Sequence, residues 1–167
     1  QDLEWLGLVA MADPLRPEVK GLLPRLQRAG IRPVILTGDQ RGTATAIGRE
    51  LGLSGDGGDH VLGADELEQM SDAELEAAIG DARVFARVSP AMKLKLVQAL
   101  QRQGHRVAMT GDGVNDGPAL KVADVGIAMG HSGTEVARAM SDVVLSDDRL
   151  ESIIEAVGGR QPLDIST

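Results

Sequence analysis

The chain has 167 residues, a formal net charge of -8 at neutral pH and no cysteine. This length suits a single domain with a sizeable hydrophobic core. The acidic balance argues against a nucleic-acid-binding protein, which needs a basic surface to displace counterions. The lack of cysteine excludes disulfides and thiolate metal sites. No apolar run approaches the roughly 18 residues that a membrane-spanning helix needs.

Short apolar strands alternate with amphipathic helices, a pattern typical of an α/β fold with a parallel sheet flanked by helices. The predicted strands are Leu6–Met11, Pro33–Leu36, Val84–Ala86, Val107–Met109, Val125–Ala128 and Val143–Leu145. The predicted helices are Pro17–Ala29, Gly42–Leu51, Ser71–Ile79, Pro90–Gln103, Asp116–Ala123, Thr134–Met140 and Leu150–Val157. Pro24 lies inside the first helix, where it removes a hydrogen bond and should kink or split that helix.

Two carboxylates and an amide lie in the run Met-Thr-Gly-Asp-Gly-Val-Asn-Asp-Gly-Pro-Ala-Leu, residues 109–120. This run follows a predicted strand and precedes a predicted helix. Its polar side chains therefore occupy the carboxyl end of a strand, which is where ligands bind in open α/β sheets. Carboxylate and amide oxygens suit a hard cation such as Mg²⁺. The structural alternative is a turn that is rich in Asp, Asn and Gly for conformational reasons alone.

Three further segments combine with this run into a recognisable order. They are Asp13-Pro14-Leu15-Arg16-Pro17, Ile35-Leu36-Thr37-Gly38-Asp39 and Phe85-Ala86-Arg87-Val88-Ser89-Pro90, the last of which leads into a helix that carries Lys93. In this order and at these spacings, the four segments resemble the second half of the phosphorylation domain of P-type cation-transporting ATPases, a branch of the haloacid dehalogenase superfamily. The resemblance extends from about Leu3 to Arg160.

The resemblance implies a Rossmann-like haloacid dehalogenase fold that lacks its nucleophile strand. In the family, the attacking carboxylate belongs to an Asp-Lys-Thr-Gly-Thr motif, and this sequence has no such motif. The chain begins with Gln1, at the point where the family's inserted nucleotide-binding domain would return. Residues 1–160 are therefore expected to be part of the phosphorylation domain of a larger transporter, inactive alone, with residues 161–167 as a frayed end.

For the loop at residues 109–120, the resemblance implies a magnesium and phosphate site. Asp112 would bind Mg²⁺ directly, and Asp116 would be a further metal-site residue that orients the loop and holds a metal-bound water. Asn115 would donate its amide N–H to a phosphate oxygen. The structural alternatives are a helix-capping role for Asp112, a helix-dipole interaction for Asp116, and a left-handed turn at Asn115.

Two other segments would contribute to the same phosphate site. The Thr37 hydroxyl and the Gly38 amide are suited to donate hydrogen bonds to phosphate. Lys93 would bring its ammonium to the phosphate and to the nucleophile, whereas a generic surface lysine is the alternative.

Four residues are expected to face the nucleotide. Asp13 and Arg16 would lie near the hinge to the nucleotide-binding domain and help to place ATP, unless they only form a pair that caps the following helix. Asp39 would touch the nucleotide or the Mg²⁺ environment, with a helix N-cap as the alternative. Arg87 would contact the nucleotide.

The cofactors implied by the resemblance are Mg²⁺ and ATP. The implied partners are the nucleotide-binding, actuator and transmembrane domains of the pump, with the parent protein in the cell membrane and this domain cytoplasmic. The segment Gly133–Asp148 looks closer to the calcium, sodium and magnesium pumps than to the heavy-metal pumps. Gly117 stands where alanine is usual.

Two other functions are compatible with parts of the sequence. A free-standing phosphatase of the same superfamily would need an Asp-x-Asp strand near the N-terminus, which is absent. A regulatory module could bind Mg²⁺ and phosphate without catalysis. In the superfamily the nucleophile strand is central in the sheet, so its loss leaves unpaired backbone groups between the neighbouring strands. The strand Leu6–Met11 is then expected to shift toward the gap, or the piece is expected to be marginally stable or dimeric.

Overall fold

The computed structural model describes residues 6–7, 15, 17–53 and 61–157. The strands are β1 (Ile35–Leu36), β2 (Val61–Gly63), β3 (Val84–Ala86), β4 (Ala108–Gly111), β5 (Val125–Met129) and β6 (Val143–Leu145). The helices are α1 (Pro17–Arg28), α2 (Arg41–Glu50), α3 (Ala64–Gln69), α4 (Asp72–Asp81), α5 (Pro90–Arg102), α6 (Gly117–Val122), α7 (Glu135–Met140) and α8 (Glu151–Val157), with a 3₁₀ turn at Val114–Asp116. None of these helices is long and apolar enough to cross a lipid bilayer.

The strands form two parallel sheets of three strands, in the orders β1-β3-β2 and β4-β5-β6. Ile35 pairs with Val84 in the first sheet, and Ala108 pairs with Val125 in the second. This arrangement confirms the α/β class and the parallel pairing. The described strands divide into two groups in which β1 and β4 each pair on one side only, as expected for a sheet that lacks its central nucleophile strand.

A cavity of about 980 Å³ lies between β1 and β4. Its wall includes Ile35 and Leu36 from β1 and Ala108 and Met109 from β4. No strand among the described residues enters this space. Within the described ranges neither edge has a strand partner on this side, so the space has the character of a slot for one more parallel strand. We call it the strand slot.

Helix α5 joins the two sheets. Val84 and Ala86 of β3 belong to one hydrophobic cluster and Phe85 to another, because successive strand side chains point to opposite faces. Leu96 of α5 packs in the Phe85 cluster, whereas Val97 packs with Met109 against the second sheet. The helix that carries Lys93 is therefore held by the cores of both sheets.

Most predicted elements are confirmed with ends that differ by a residue or two, and several predicted end signals are confirmed as well. Ser71 accepts the Glu74 amide at 3.3 Å and the Glu74 carboxylate accepts the Ser71 amide at 2.8 Å, which is a capping box. Ser89 caps α5 by accepting the Met92 amide at 3.2 Å. Gly30 and Gly104 have φ values of +77° and +83° after their helices.

One strand was missed, and helix α1 is continuous. β2 was not predicted, because Val61 and Leu62 are only two apolar residues and the strand is specified mainly by its pairing with β3. Helix α1 continues through Pro24 as the single predicted helix, so the proline does not split it. Pro24 is exposed, and water can therefore satisfy the carbonyl that the proline leaves without a donor. The predicted strand at Leu6–Met11 and the tail at 161–167 fall mostly or wholly outside the described residues.

Replacing Gly117 by Ala is expected to stabilise the fold by about 0.5–1 kcal/mol, because alanine favours helical backbone over glycine. Gly117 has helical φ and ψ of -47° and -52°. An added Cβ would lie 3.5 Å from Met140 Cγ and 3.8 Å from Val136 Cγ1, which is ordinary contact. The measurement is the free energy of unfolding in urea.

Gly126→Ala is the matched control for this prediction. There the new Cβ would lie 2.5 Å from the Leu120 carbonyl oxygen, so a loss of about 1–3 kcal/mol is expected. A destabilised Gly117→Ala variant would contradict the packing described at the start of α6.

Candidate functional site

Asp112 directly follows β4 and begins the loop that leads into the 3₁₀ turn. Its backbone carbonyl accepts the Thr134 amide at 2.8 Å, which ties the loop to the start of α7. Its side chain is exposed, and no hydrogen bond to it from another described residue is found. The capping alternative for Asp112 is wrong, because Gly113 holds the N-cap position of the turn. Within the described ranges, the Asp112 carboxylate has no hydrogen-bond partner that would compete with a ligand.

The Asp116 carboxylate is paired with the Lys93 ammonium and is largely shielded from solvent. Lys93 Nζ lies 2.6 Å from Asp116 Oδ1, and the two side chains are only 15% and 11% exposed. The second oxygen, Oδ2, accepts the Gly113 amide at 3.3 Å. A buried carboxylate with both oxygens partnered is satisfied where it stands. Asp116 therefore anchors both the loop and the Lys93 ammonium.

Gly111 makes the close approach of Asp116 possible. A Cβ at position 111 would lie 2.6 Å from Asp116 Cβ, closer than side chains tolerate. Glycine is therefore required at the end of β4 so that the following loop can fold back against the strand.

The loop after β1 is bound to the loop after β3 by backbone hydrogen bonds. The Val88 amide donates to the Thr37 carbonyl, and the Arg87 amide donates to the Asp39 carbonyl, each at 2.9 Å. The Thr37 hydroxyl oxygen accepts the Asp39 amide at 3.1 Å. The N-cap of α2 is Gln40, so the capping alternative for Asp39 is wrong. Asp39 and Arg87, both expected to face the nucleotide, are consequently neighbours.

Arg87 has a backbone conformation that the sequence did not reveal. Its φ is +55°, in the left-handed region that residues other than glycine seldom adopt. Among the described residues other than glycine, only Asp148 shares a positive φ. Asn115 therefore has no left-handed backbone, and the turn alternative for its conformation is wrong.

The structure brings part of the predicted site together. Lys93, Asp112 and Asp116 line the strand slot at the carboxyl end of β4. Thr37 follows Leu36, which lines the same slot from the opposite sheet. Gly38 and Asn115 are exposed on their loops. Asp13 and Arg16 lie outside the described residues, so their placement stays a prediction.

Comparison with known proteins establishes the family. A sequence profile of haloacid dehalogenase-like hydrolases matches residues 2–124, and a second profile with that description matches residues 92–157. The chain belongs to the haloacid dehalogenase-like hydrolase family.

Within this family, the chain is similar to proteins named as cation-transporting ATPases. The chain is 52% identical over 94% of its length to calcium-transporting ATPase 1 of Bacillus cereus and 52% identical over 93% to cation-transporting ATPase pma1 of Synechocystis. It spans 18% and 17% of those proteins. A solved zinc-transporting PIB-type ATPase in the E2.Pi state is 33% identical, with a TM-score of 0.66 over 89% of this chain and 20% of that one. These findings confirm the resemblance to P-type ATPases.

The loop after β4 contains some, but not all, of the ligands that Mg²⁺ needs. Among the described residues, no group of three or more His, Cys, Asp or Glu side chains could hold a metal. Asp112 is the free carboxylate, whereas Asp116 is engaged by Lys93 and Gly113. Mg²⁺ commonly takes one or two carboxylates and fills its other positions with water and phosphate oxygens. The residues present therefore fit Mg²⁺ and leave most of its ligands to come from elsewhere.

The sequence did not identify the residues that support the loop after β4 from the neighbouring segments. Thr134 supports Asp112 through its amide and caps α7 by accepting the Ala137 amide at 3.2 Å. Asp148 and Arg138 make hydrogen bonds to the backbone of the segment that precedes Thr134. A threonine after glycine and before a helix is a readable capping signal. The Asp148 and Arg138 contacts are tertiary and have no local signature.

Proposed function

We propose that this chain is the part of a cation pump's phosphorylation domain that surrounds the phosphorylated carboxylate and binds Mg²⁺ and phosphate beside it. The observation that supports this most directly is the strand slot, an apolar space between two parallel edges with Lys93 and Asp112 at its carboxyl end. A parallel strand in this slot would deliver its following residue to those two groups. An aspartate at that position would stand where phosphoryl transfer needs it.

The residues around this position can neutralise and orient a phosphoryl group. Phosphoryl transfer depends on positioning and charge neutralisation more than on covalent chemistry by the protein. Lys93 provides a positive charge that Asp116 holds in place, 2.6 Å away. Since the Thr37 oxygen already accepts the Asp39 amide, its hydroxyl hydrogen is left to donate to phosphate. Bound at Asp112, Mg²⁺ would neutralise phosphate charge.

The nucleotide side of the site would use the joined loops after β1 and β3. The hydrogen bond between the Arg87 amide and the Asp39 carbonyl holds a cation and an anion together on exposed loops. In this proposal Arg87 and Asp39, together with Asp13 and Arg16, help to place ATP delivered by the nucleotide-binding domain. The pump's remaining domains, its membrane location and ion transport belong to the same proposal.

A complementation assay tests the proposal. A synthetic peptide with an apolar strand followed by Asp-Lys-Thr-Gly-Thr is mixed with the chain, Mg²⁺ and radiolabelled acetyl phosphate. We expect hydroxylamine-sensitive label on the peptide, formed when its Asp carboxylate attacks phosphorus and acetate leaves. The label should be lost when Asn replaces the peptide Asp and when the chain carries Asp112→Ala.

Two results would overturn the proposal. Hydrolysis of p-nitrophenyl phosphate by the chain alone would favour the free-standing phosphatase. Phosphate and Mg²⁺ binding without peptide labelling would favour the regulatory module.

A further inference from the structure

Asp148 lies just after β6 in a left-handed backbone conformation. Its φ is +54°, which costs a residue with a Cβ of order 1 kcal/mol, although aspartate adopts this region more readily than most because its short side chain can hydrogen-bond locally. Such conformations persist when the surrounding contacts require them. Its neighbour Asp147 is an ordinary exposed residue that accepts the Arg149 amide at 3.1 Å. The cost at Asp148 therefore points to contacts made by its side chain.

The Asp148 carboxylate binds two successive backbone amides. Oδ1 accepts the His131 amide at 2.9 Å and Oδ2 accepts the Ser132 amide at 2.8 Å. These hydrogen bonds hold the pKa of Asp148 at about 2, below its ordinary value. The carboxylate thus closes on the segment 130–133, which follows β5 and which we call the bracket segment.

Arg138 holds the carbonyl side of the bracket segment. Its Nη1 donates to the Gly130 carbonyl at 3.1 Å and also to the Gly133 carbonyl. Gly133 is packed so closely that an added Cβ would collide with the Met129 carbonyl oxygen. The backbone of the bracket segment is therefore fixed on both sides. The Asp148 carboxylate binds its amides, the Arg138 guanidinium binds its carbonyls, and the close packing at Gly133 prevents it from shifting.

The bracket segment is directly connected to the proposed metal ligand. Thr134, the next residue, donates its amide to the Asp112 carbonyl at 2.8 Å. Ser132 lines the strand slot together with Asp112 and Asp116. A shift of the bracket segment therefore moves the donor that sets the position of Asp112.

We propose that Asp148 is a positioning residue that places the Asp112 carboxylate for Mg²⁺ through the bracket segment and the Thr134 amide. This inference rests on the proposed function, because it concerns the same metal site. Asp148 itself is turned toward the backbone of the bracket segment, so its influence on the ligand is exerted through main-chain position.

The test compares Asp148→Gly with Asp147→Gly in the whole chain. Glycine at 148 keeps the left-handed backbone and removes the carboxylate, while the variant at 147 removes the same charge from the adjacent position. The Mg²⁺ dissociation constant is measured from the amide NMR shifts of Gly113 and Asn115. Because partners behind metal ligands typically affect metal affinity by about 10–100-fold, we expect Asp148→Gly to raise this constant about tenfold.

Two further measurements separate positioning from general loss of structure. Hydrogen exchange of the Thr134 amide without Mg²⁺ should quicken in Asp148→Gly and stay unchanged in Asp147→Gly. Asp148→Asn tolerates the same backbone and keeps one oxygen acceptor, so its Mg²⁺ dissociation constant should lie between those of the wild type and Asp148→Gly.

The outcomes distinguish this inference from the proposed function. If the wild-type chain shows no Mg²⁺-dependent shift at Gly113 and Asn115, the proposed function fails and the role of Asp148 fails with it. If the wild type responds and the two glycine variants bind Mg²⁺ equally well, the proposed function stands and the role of Asp148 is overturned. Unchanged Thr134 protection in Asp148→Gly also overturns it.

Discussion

Replacing Lys93 by Met is expected to lower the free energy of unfolding by about 3 kcal/mol, because it leaves a buried carboxylate without its counter-charge. Asp116 is 8% exposed, and its 2.6 Å contact with Lys93 is the one ion pair with both partners largely buried in the described parts of the chain. The Gly113 amide alone cannot balance that charge. Urea unfolding at neutral pH measures the loss.

Lys95→Met is the matched control for this prediction on the same helix. Lys95 pairs with Asp72 at 3.0 Å, with side chains 38% and 74% exposed. Exposed pairs contribute about 0–1 kcal/mol, so this variant should unfold almost like the wild type. Equal losses at the two lysines would contradict the view that Asp116 depends on Lys93.

A double-mutant cycle measures the interaction itself. Asp116→Asn removes the negative charge and leaves Lys93 unpaired, while the double variant with Lys93→Met removes both charges. The double variant should lose less stability than the sum of the two single losses, by about 1–3 kcal/mol, as expected for directly coupled residues. Additive losses would show that the two groups do not stabilise each other.

The sequence was sufficient to predict the alternation of strands and helices and the loop that carries the site. β3 and β6 were predicted with their observed ends, because a short apolar run between polar segments is a strong local signal. Ser71 and Ser89 likewise identified helix starts through residues close in sequence. Each of these signals is local, and local chemistry decides such elements.

Tertiary contacts specify what the sequence could not show. β2 exists because it pairs with β3, and the pair of Lys93 with Asp116 joins residues 23 positions apart. The left-handed backbone of Arg87 has no signature in its residue type.

We expect the peptide of the complementation assay, an apolar strand followed by Asp-Lys-Thr-Gly-Thr, to raise the thermal unfolding midpoint of the chain. The expected rise is about 5–10 °C when the peptide concentration is about 100 times the peptide's dissociation constant. Binding to the folded state alone contributes about 2.7 kcal/mol at that concentration, and 1 kcal/mol shifts the midpoint of a domain of this size by about 2–4 °C. The physical reason is that, among the strands that the structure describes, β1 and β4 each have a partner on one side only and face each other across a cavity of about 980 Å³. A parallel peptide would satisfy both edges and bury apolar surface.

The control peptide has the same composition with proline at its centre, where a missing N–H and a fixed backbone prevent pairing on both sides. Without any peptide, the open edges should favour self-association, so the midpoint should rise with protein concentration. Scanning calorimetry at several protein and peptide concentrations measures both effects. A monomer whose sharp transition keeps the same midpoint at every peptide and protein concentration would show that the slot is closed in solution. The reason is that an accessible slot with two parallel strand edges and an apolar wall would bind a matching strand, and that binding would raise the midpoint.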